Sequence, residues 1–167
     1  MIRFRLAKAG DVPALRALVE SAYRGESSKR GWTTEADLLD DERTSDAELA
    51  ETIASEGSRV LLAEIEGKLA GTVTITDLGE ARAYLGMLCV DPELQAEGLG
   101  RALIADAEDM AADVFGATVM EMTVIDARLE LIAYYERRGY VRTGETRPFP
   151  YGGEDRFRMV VLERSLA

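Results

Sequence analysis

The chain has 167 residues, 47% of them hydrophobic and 31% charged, a balance that suits one globular domain over residues 1–167 with room for a buried core. Its formal net charge of −11 excludes the basic face on which nucleic-acid binding depends. The absence of histidine removes Ser-His and Cys-His nucleophile pairs, histidine-containing zinc sites and the usual general base near neutral pH.

Ile2, Phe4 and Leu6 alternate with Arg3 and Arg5, the period of a first strand, and this beginning reads as a strand and not as a signal peptide. Gly10-Asp11 offers a cap and Pro13 an early helical position for a helix with Val12, Leu15, Leu18, Val19, Ala22 and Tyr23 on its apolar face, ended by Gly25. Residues 25–45 are irregular, and Trp32 there either walls a binding pocket or folds back over the core. Thr34-x-x-Asp37 caps a short turn, and Ser45-x-x-Glu48 reads as a capping box for a helix to about Glu56. Between Glu35 and Glu56 the charges are acidic except for Arg43, a solvated face on which a carboxylate near Trp32 is an option for recognising an amine.

Three strands follow with tight links: Val60–Ile65, Leu69–Thr76 after the turn Glu66-Gly67-Lys68, and Ala83–Val90 after the turn Asp77-Leu78-Gly79-Glu80. Together they predict an antiparallel meander. A helix opens after Gly98, with Leu99, Leu103, Ala107, Met110 and Val114 on one face and Gly116 at its end. Thr118–Ile125 reads as a strand, Asp126 as the cap of a helix to Arg138, and Gly139 as its left-handed stop. Tyr140-Val141 starts another strand, Arg147–Gly153 reads as a loop, and Phe157–Leu162 as the last strand. The expected class is α/β (α+β): a central, mostly antiparallel twisted sheet flanked by helices. No apolar run approaches the about 18 residues of a membrane span. With one cysteine, Cys89, no internal disulfide forms, and a cytoplasmic protein with no membrane partner is expected.

The stretch Leu85–Arg101 is where chemistry concentrates. A strand ends, Asp91-Pro92 punctuates the chain, and Gly98-x-Gly100 opens a helix whose first amides and dipole favour an anion. A dinucleotide turn requires a third glycine where Leu103 stands, and no Gly-Lys-Ser/Thr follows, so Rossmann and P-loop readings both fail. The remaining pattern, Gln95-x-x-Gly98-x-Gly100-Arg101, resembles the acetyl-CoA signature of the GNAT N-acetyltransferase superfamily. Ala133-Tyr134-Tyr135-Glu136-Arg137-Arg138-Gly139-Tyr140 resembles that family's later tyrosine-and-glycine segment, and the order of elements agrees along essentially the whole chain.

The resemblance implies acetyl-CoA as cosubstrate, no metal, and direct acetyl transfer to a primary amine of a small molecule or peptide. It places Gln95, Ala96, Glu97, Gly98, Leu99, Gly100 and Arg101 around the pyrophosphate, with the Glu97 side chain turned to solvent and Arg101 toward the phosphates. Leu88, Cys89 and Val90 would line the pantetheine arm on a strand that splays from its neighbour, with the Leu88 amide facing the thioester oxygen. With no histidine to activate it, Cys89 is expected to pack and not to carry an acyl group. Tyr135 is the implied proton donor to the departing thiolate, and Tyr134 beside it is expected to pack. Arg128 stands seven residues before Tyr135, where many members carry Asn, and is a substitute phosphate contact. Glu121 is the expected base for the ammonium, with Glu64, Tyr84 or a water chain as alternatives; Tyr84 and Trp32 are placed at the acceptor. A non-catalytic acyl-CoA-binding sensor is the alternative of another class, and a homodimer stays open.

Overall fold

In the computed structural model, which describes residues 2–23, 45–93, 98–148 and 158–166, the apolar alternation resolves into a seven-stranded sheet. In chain order, β1 (Ile2–Leu6) leads through a short 3-10 turn (Ala9–Asp11) into α1 (Val12–Tyr23). Next come α2 (Asp46–Ala54), β2 (Ser58–Ile65), β3 (Lys68–Gly79) and β4 (Arg82–Val90). The chain closes with α3 (Leu99–Phe115), β5 (Val119–Ile125), α4 (Leu129–Arg137), β6 (Val141–Pro148) and β7 (Arg158–Ser165). The spatial order is β1-β2-β3-β4-β5-β7-β6, antiparallel throughout except between β4 and β5. The expected α/β class, with a mostly antiparallel sheet flanked by helices, is the one found.

Central strands bury both faces, which is why β2 reads as the unbroken run Val60-Leu61-Leu62-Ala63. Val60 and Leu62 meet Val12, Leu15, Leu18 and Val19 of α1 and Leu49 of α2 on one side. Leu61 and Ala63 belong to the larger core on the other side, under α3 and α4. At α2 the Ser45 side chain accepts the Glu48 N–H at 3.2 Å, as its spacing predicts, although the helix stops at Ala54. Gly71 of β3 lets α3 lie close to the sheet: a Cβ there would stand 2.8 Å from Leu103 Cδ1 and 3.2 Å from the Cys89 carbonyl oxygen. At the far side of α3, Glu108 accepts from Tyr140 Oη at 2.9 Å and from Arg164 Nη1 at 2.7 Å, tying helix, α4 exit and β7 together.

Several boundaries differ from the sequence reading, for physical reasons. The β3–β4 turn falls at Glu80-Ala81 and not at Asp77–Glu80, because ladder pairing continues to Gly79↔Arg82. Both turn residues are left-handed (φ 55° and 63°) without being glycine. The buried face of α3 is Leu99, Leu103, Ile104, Ala107 and Ala111, so Val114 is exposed. A 3.6-residue period drifts off a strict four-residue row over four turns. Asp126 does not cap α4; Arg128 holds that position, and the Asp126 N–H instead bonds the Arg158 carbonyl of β7 at 2.8 Å. Arg147 and Pro148 extend β6 and are not loop.

Candidate active site

β4 changes character midway along its length. Arg82, Ala83 and Tyr84 pair in parallel with Val119, Met120 and Glu121 of β5, and the pairing ends there. On its other edge β4 bulges, since Thr74 pairs with Gly86 but Thr72 with Cys89, leaving Met87 and Leu88 opposite Val73 alone. Met87 has φ 50°, a conformation that costs a side-chain-bearing residue about 1–2 kcal/mol. Strain of this kind persists where the surroundings enforce it, commonly at sites. The result is a strand that leaves its parallel neighbour as it approaches Val90, the splay expected of the Met87–Val90 segment.

The start of α3 lies against that strand end. Gly98 caps the helix in the left-handed conformation (φ 72°), and a Cβ there would have nothing within 4 Å, so its role is conformational. Gly100 is different: a Cβ there would stand 3.2 Å from the Tyr134 hydroxyl and 3.8 Å from Val90 Cγ2, so its role is to leave space. The first bond of the helix runs from the Ala102 N–H to the Gly98 carbonyl, which places the amides of Leu99, Gly100 and Arg101 ahead of the ladder. The Leu99 side chain is fully buried and only its backbone faces the turn, whereas Arg101 is exposed. Gln95, Ala96, Glu97 and Trp32 lie outside the described residues.

Tyr135 is 7% exposed and stands edge-on to Tyr134 and Tyr140, with ring centroids 5.5 and 6.2 Å away. Burial, then Tyr134, pushes its phenol well above the ordinary tyrosine value; Arg128 pulls the other way, and Tyr84 and Cys89 add smaller upward contributions. Tyr84 and Cys89 of β4 and Arg128 at the N-cap of α4 are thus within electrostatic reach of the phenol. Cys89 is buried, packed with the α1-side core, and Val90 is buried on the α3 side.

The acceptor-side candidates form a second group. Tyr84 Oη and Thr123 Oγ1 are 2.5 Å apart, bridging β4 and β5 where they part. Glu121, 5% exposed, meets Arg82 Nη2 at 3.0 Å and Arg147 Nη1 at 2.8 Å. Arg82 also bonds Glu163, and Arg147 Nε bonds Glu145 at 3.0 Å, so five charges alternate in sign across four strands. Burial alone works to raise the Glu121 carboxyl, but the Arg147 and Arg82 hydrogen bonds outweigh it and hold it below the usual value. Glu64 is engaged elsewhere, with Arg5 at 3.2 Å. Tyr134 packs against the core and edge-on to Tyr135, as expected. Sequence reasoning missed Arg82 and Arg147 as the partners of Glu121, and nothing local marks either arginine.

A model of the Acetyltransferase (GNAT) family matches residues 15–140. The chain belongs to the GNAT acetyltransferase family. Solved structures share the GNAT fold over its whole length. The ribosomal-protein-S18-alanine N-acetyltransferase from Escherichia coli is 20% identical with a TM-score of 0.75, the match covering 100% of this chain and 95% of that one. The PaiA N-acetyltransferase from Thermoplasma acidophilum, in complex with coenzyme A, is 18% identical with a TM-score of 0.77 over 99% of both chains. The structure of YncA from Salmonella typhimurium with its cofactor acetyl-CoA is 18% identical with a TM-score of 0.74 over 100% of this chain and 95% of that one. No curated protein matches the chain in sequence. Among the described residues no helix is long and apolar enough to cross a membrane.

Proposed function

We propose that this GNAT chain is an acetyl-CoA-dependent N-acetyltransferase acting by direct transfer to a primary amine of a small molecule or peptide. One juxtaposition carries the reading: β4 parts from β5 after Tyr84, its end at Val90 lies against the first turn of α3 at Gly100, and Tyr135 is buried in the same core cluster as Val90. The glycine turn suits a pyrophosphate, since Gly98 is open and left-handed and three amides precede the helical ladder. Acetyl-CoA, when bound, supplies an acetyl group activated as a thioester.

Gly98, Gly100 and the Leu99 and Arg101 amides, with Gln95–Glu97, are assigned to the pyrophosphate, and Arg101 to its charge. The Leu88–Val90 backbone is assigned to the pantetheine arm, with the Leu88 amide donating to the acyl oxygen, a contact typically worth about 3 kcal/mol. Burial keeps the Tyr135 phenol protonated throughout the neutral range, so it holds the proton that the departing sulfur needs. Arg128, close enough to act on that phenol, is assigned to holding charge on the cofactor side. Glu121 is recast by its two arginines: an ionised carboxylate stabilised in this way is a weak base, and it serves to fix Arg82 and Arg147. The ammonium proton is assigned to a water chain between the parted strands. Buried Cys89, with no histidine in the chain, supports direct transfer without an acyl-enzyme.

Release of free CoA, followed with a thiol reagent over a panel of amines, tests this reading. Wild type turns over on at least one amine, and Tyr135→Phe lowers kcat about 100-fold with little change in acetyl-CoA affinity. Binding without turnover on any amine would make the protein a sensor; no binding would remove both readings.

A further inference from the structure

Tyr134, expected from the sequence to pack, has its hydroxyl as the atom nearest to where a side chain at Gly100 would begin, at 3.2 Å, with Val90 the next neighbour. It therefore lies beside the second residue of α3, at the amides that precede the ladder. Among the described residues that hydroxyl makes no hydrogen bond, although the ring is half-buried. The ring itself is gripped by cations, with the Arg138 guanidinium carbon 5.0 Å and that of Arg137 5.9 Å from its centroid. In a chain of net charge −11, an O–H donor at the start of α3, on a ring flanked by two guanidiniums, favours an anion there.

We infer that Tyr134 is a specificity-determining residue for the coenzyme, donating its hydroxyl to the phosphate-bearing part while its ring holds Arg137 and Arg138 alongside. This rests on the acetyl-CoA reading and adds to it a division of labour between adjacent tyrosines: Tyr135 toward the sulfur, Tyr134 toward the phosphates. Gly100 is then small because the hydroxyl occupies the ground a side chain would take.

Tyr134→Phe keeps the ring and its cation contacts and removes only the O–H. With acetyl-CoA the variant raises KM about tenfold and leaves kcat near wild type. With S-acetylpantetheine, which carries no phosphate, kcat/KM read from the initial slope is the same for variant and wild type. Tyr134→Leu, which also frees the two arginines, loses more acetyl-CoA affinity and again spares S-acetylpantetheine. An unchanged acetyl-CoA KM in Tyr134→Phe, or an equal loss with both acyl donors, overturns the assignment. A wild type that fails to bind acetyl-CoA overturns the functional reading itself, and this one with it.

Discussion

The two halves of the proposed site manage charge in opposite ways. Near Gly98 the positive groups are backbone amides, a helix N-terminus and the arginines at Tyr134, with no buried carboxylate among their described contacts. On the β5 side, charge is carried by side chains that neutralise one another: Glu163, Arg82, Glu121, Arg147 and Glu145 in alternation. The first arrangement is left wanting an anion and costs little to keep, because amides are neutral. The second is already satisfied and serves to hold geometry, so removing its buried centre breaks two charge-assisted hydrogen bonds and leaves Arg82 on Glu163 and Arg147 on Glu145.

That contrast predicts unequal damage. Glu121→Ala removes the buried centre of the ion chain and is expected to cost about 2–4 kcal/mol in urea unfolding, since two guanidiniums lose their shared partner. Its acetyl-CoA affinity stays within a fewfold of wild type; a matching loss of coenzyme binding would show that the halves are not separate.

Acid gives the next effect, on the order of 2 kcal/mol. Asp11, hydrogen-bonded by Arg5 at 2.8 Å through both oxygens, is pulled down to about 2. Its folded value lies below its unfolded one, so its stabilisation is complete above about pH 4 and disappears as pH falls toward 2. Glu121, also lowered, acts in the same direction. Thermal unfolding across that window should show the loss, reduced in Asp11→Asn. Between pH 5 and 9 Glu121 remains ionised and Tyr135 protonated. kcat/KM there should rise with pH as the acceptor amine loses its proton, with the same profile in Glu121→Gln.

At the glycines the two kinds of constraint separate. Gly98→Ala meets no neighbour but must hold φ 72°, costing about 1–2 kcal/mol of stability. Gly100→Ala has ordinary helical conformation available and should keep its stability, while displacing the Tyr134 hydroxyl and weakening coenzyme binding fewfold. Calorimetry and titration on the same samples distinguish them. Smallest is Ala81→Gly, which relieves a left-handed alanine in the β3–β4 turn and should stabilise by about 0.5–1 kcal/mol without changing coenzyme affinity.

Legibility in the sequence followed the same division. The glycine entry into α3 at Gly98 and Gly100 was readable because a turn and a helix terminus are local, written in neighbouring residues. Strand existence was readable from β-branched alternation in Leu69–Thr76 and the apolar run at Val60–Ala63. The Arg82–Glu121–Arg147 alignment was not, since its members come from β4, β5 and β6 and meet only once β7 has inserted between β5 and β6. Glu121 alone looks like a base; the fold adds its two cations. The Met87 bulge was equally hidden, because it reflects a mismatch between two strands and neither sequence alone contains it.

Gly71 works as a shim. It touches no proposed ligand, yet the thickness of chain at that point fixes how near α3 rides to the sheet, and Leu103 Cδ1 already stands where a methyl would crowd it. The first turn of α3 and the end of β4 are two bodies whose gap is set there, since Gly71 pairs with Val90 and a Cβ on it would stand 3.4 Å from Leu99 Cδ2. A side chain introduced there would therefore push α3 off the sheet beside Val90 and Leu99 and widen the proposed coenzyme mouth. A family member wanting a wider or narrower cradle has a mechanical adjustment available without altering a single group that faces the ligand.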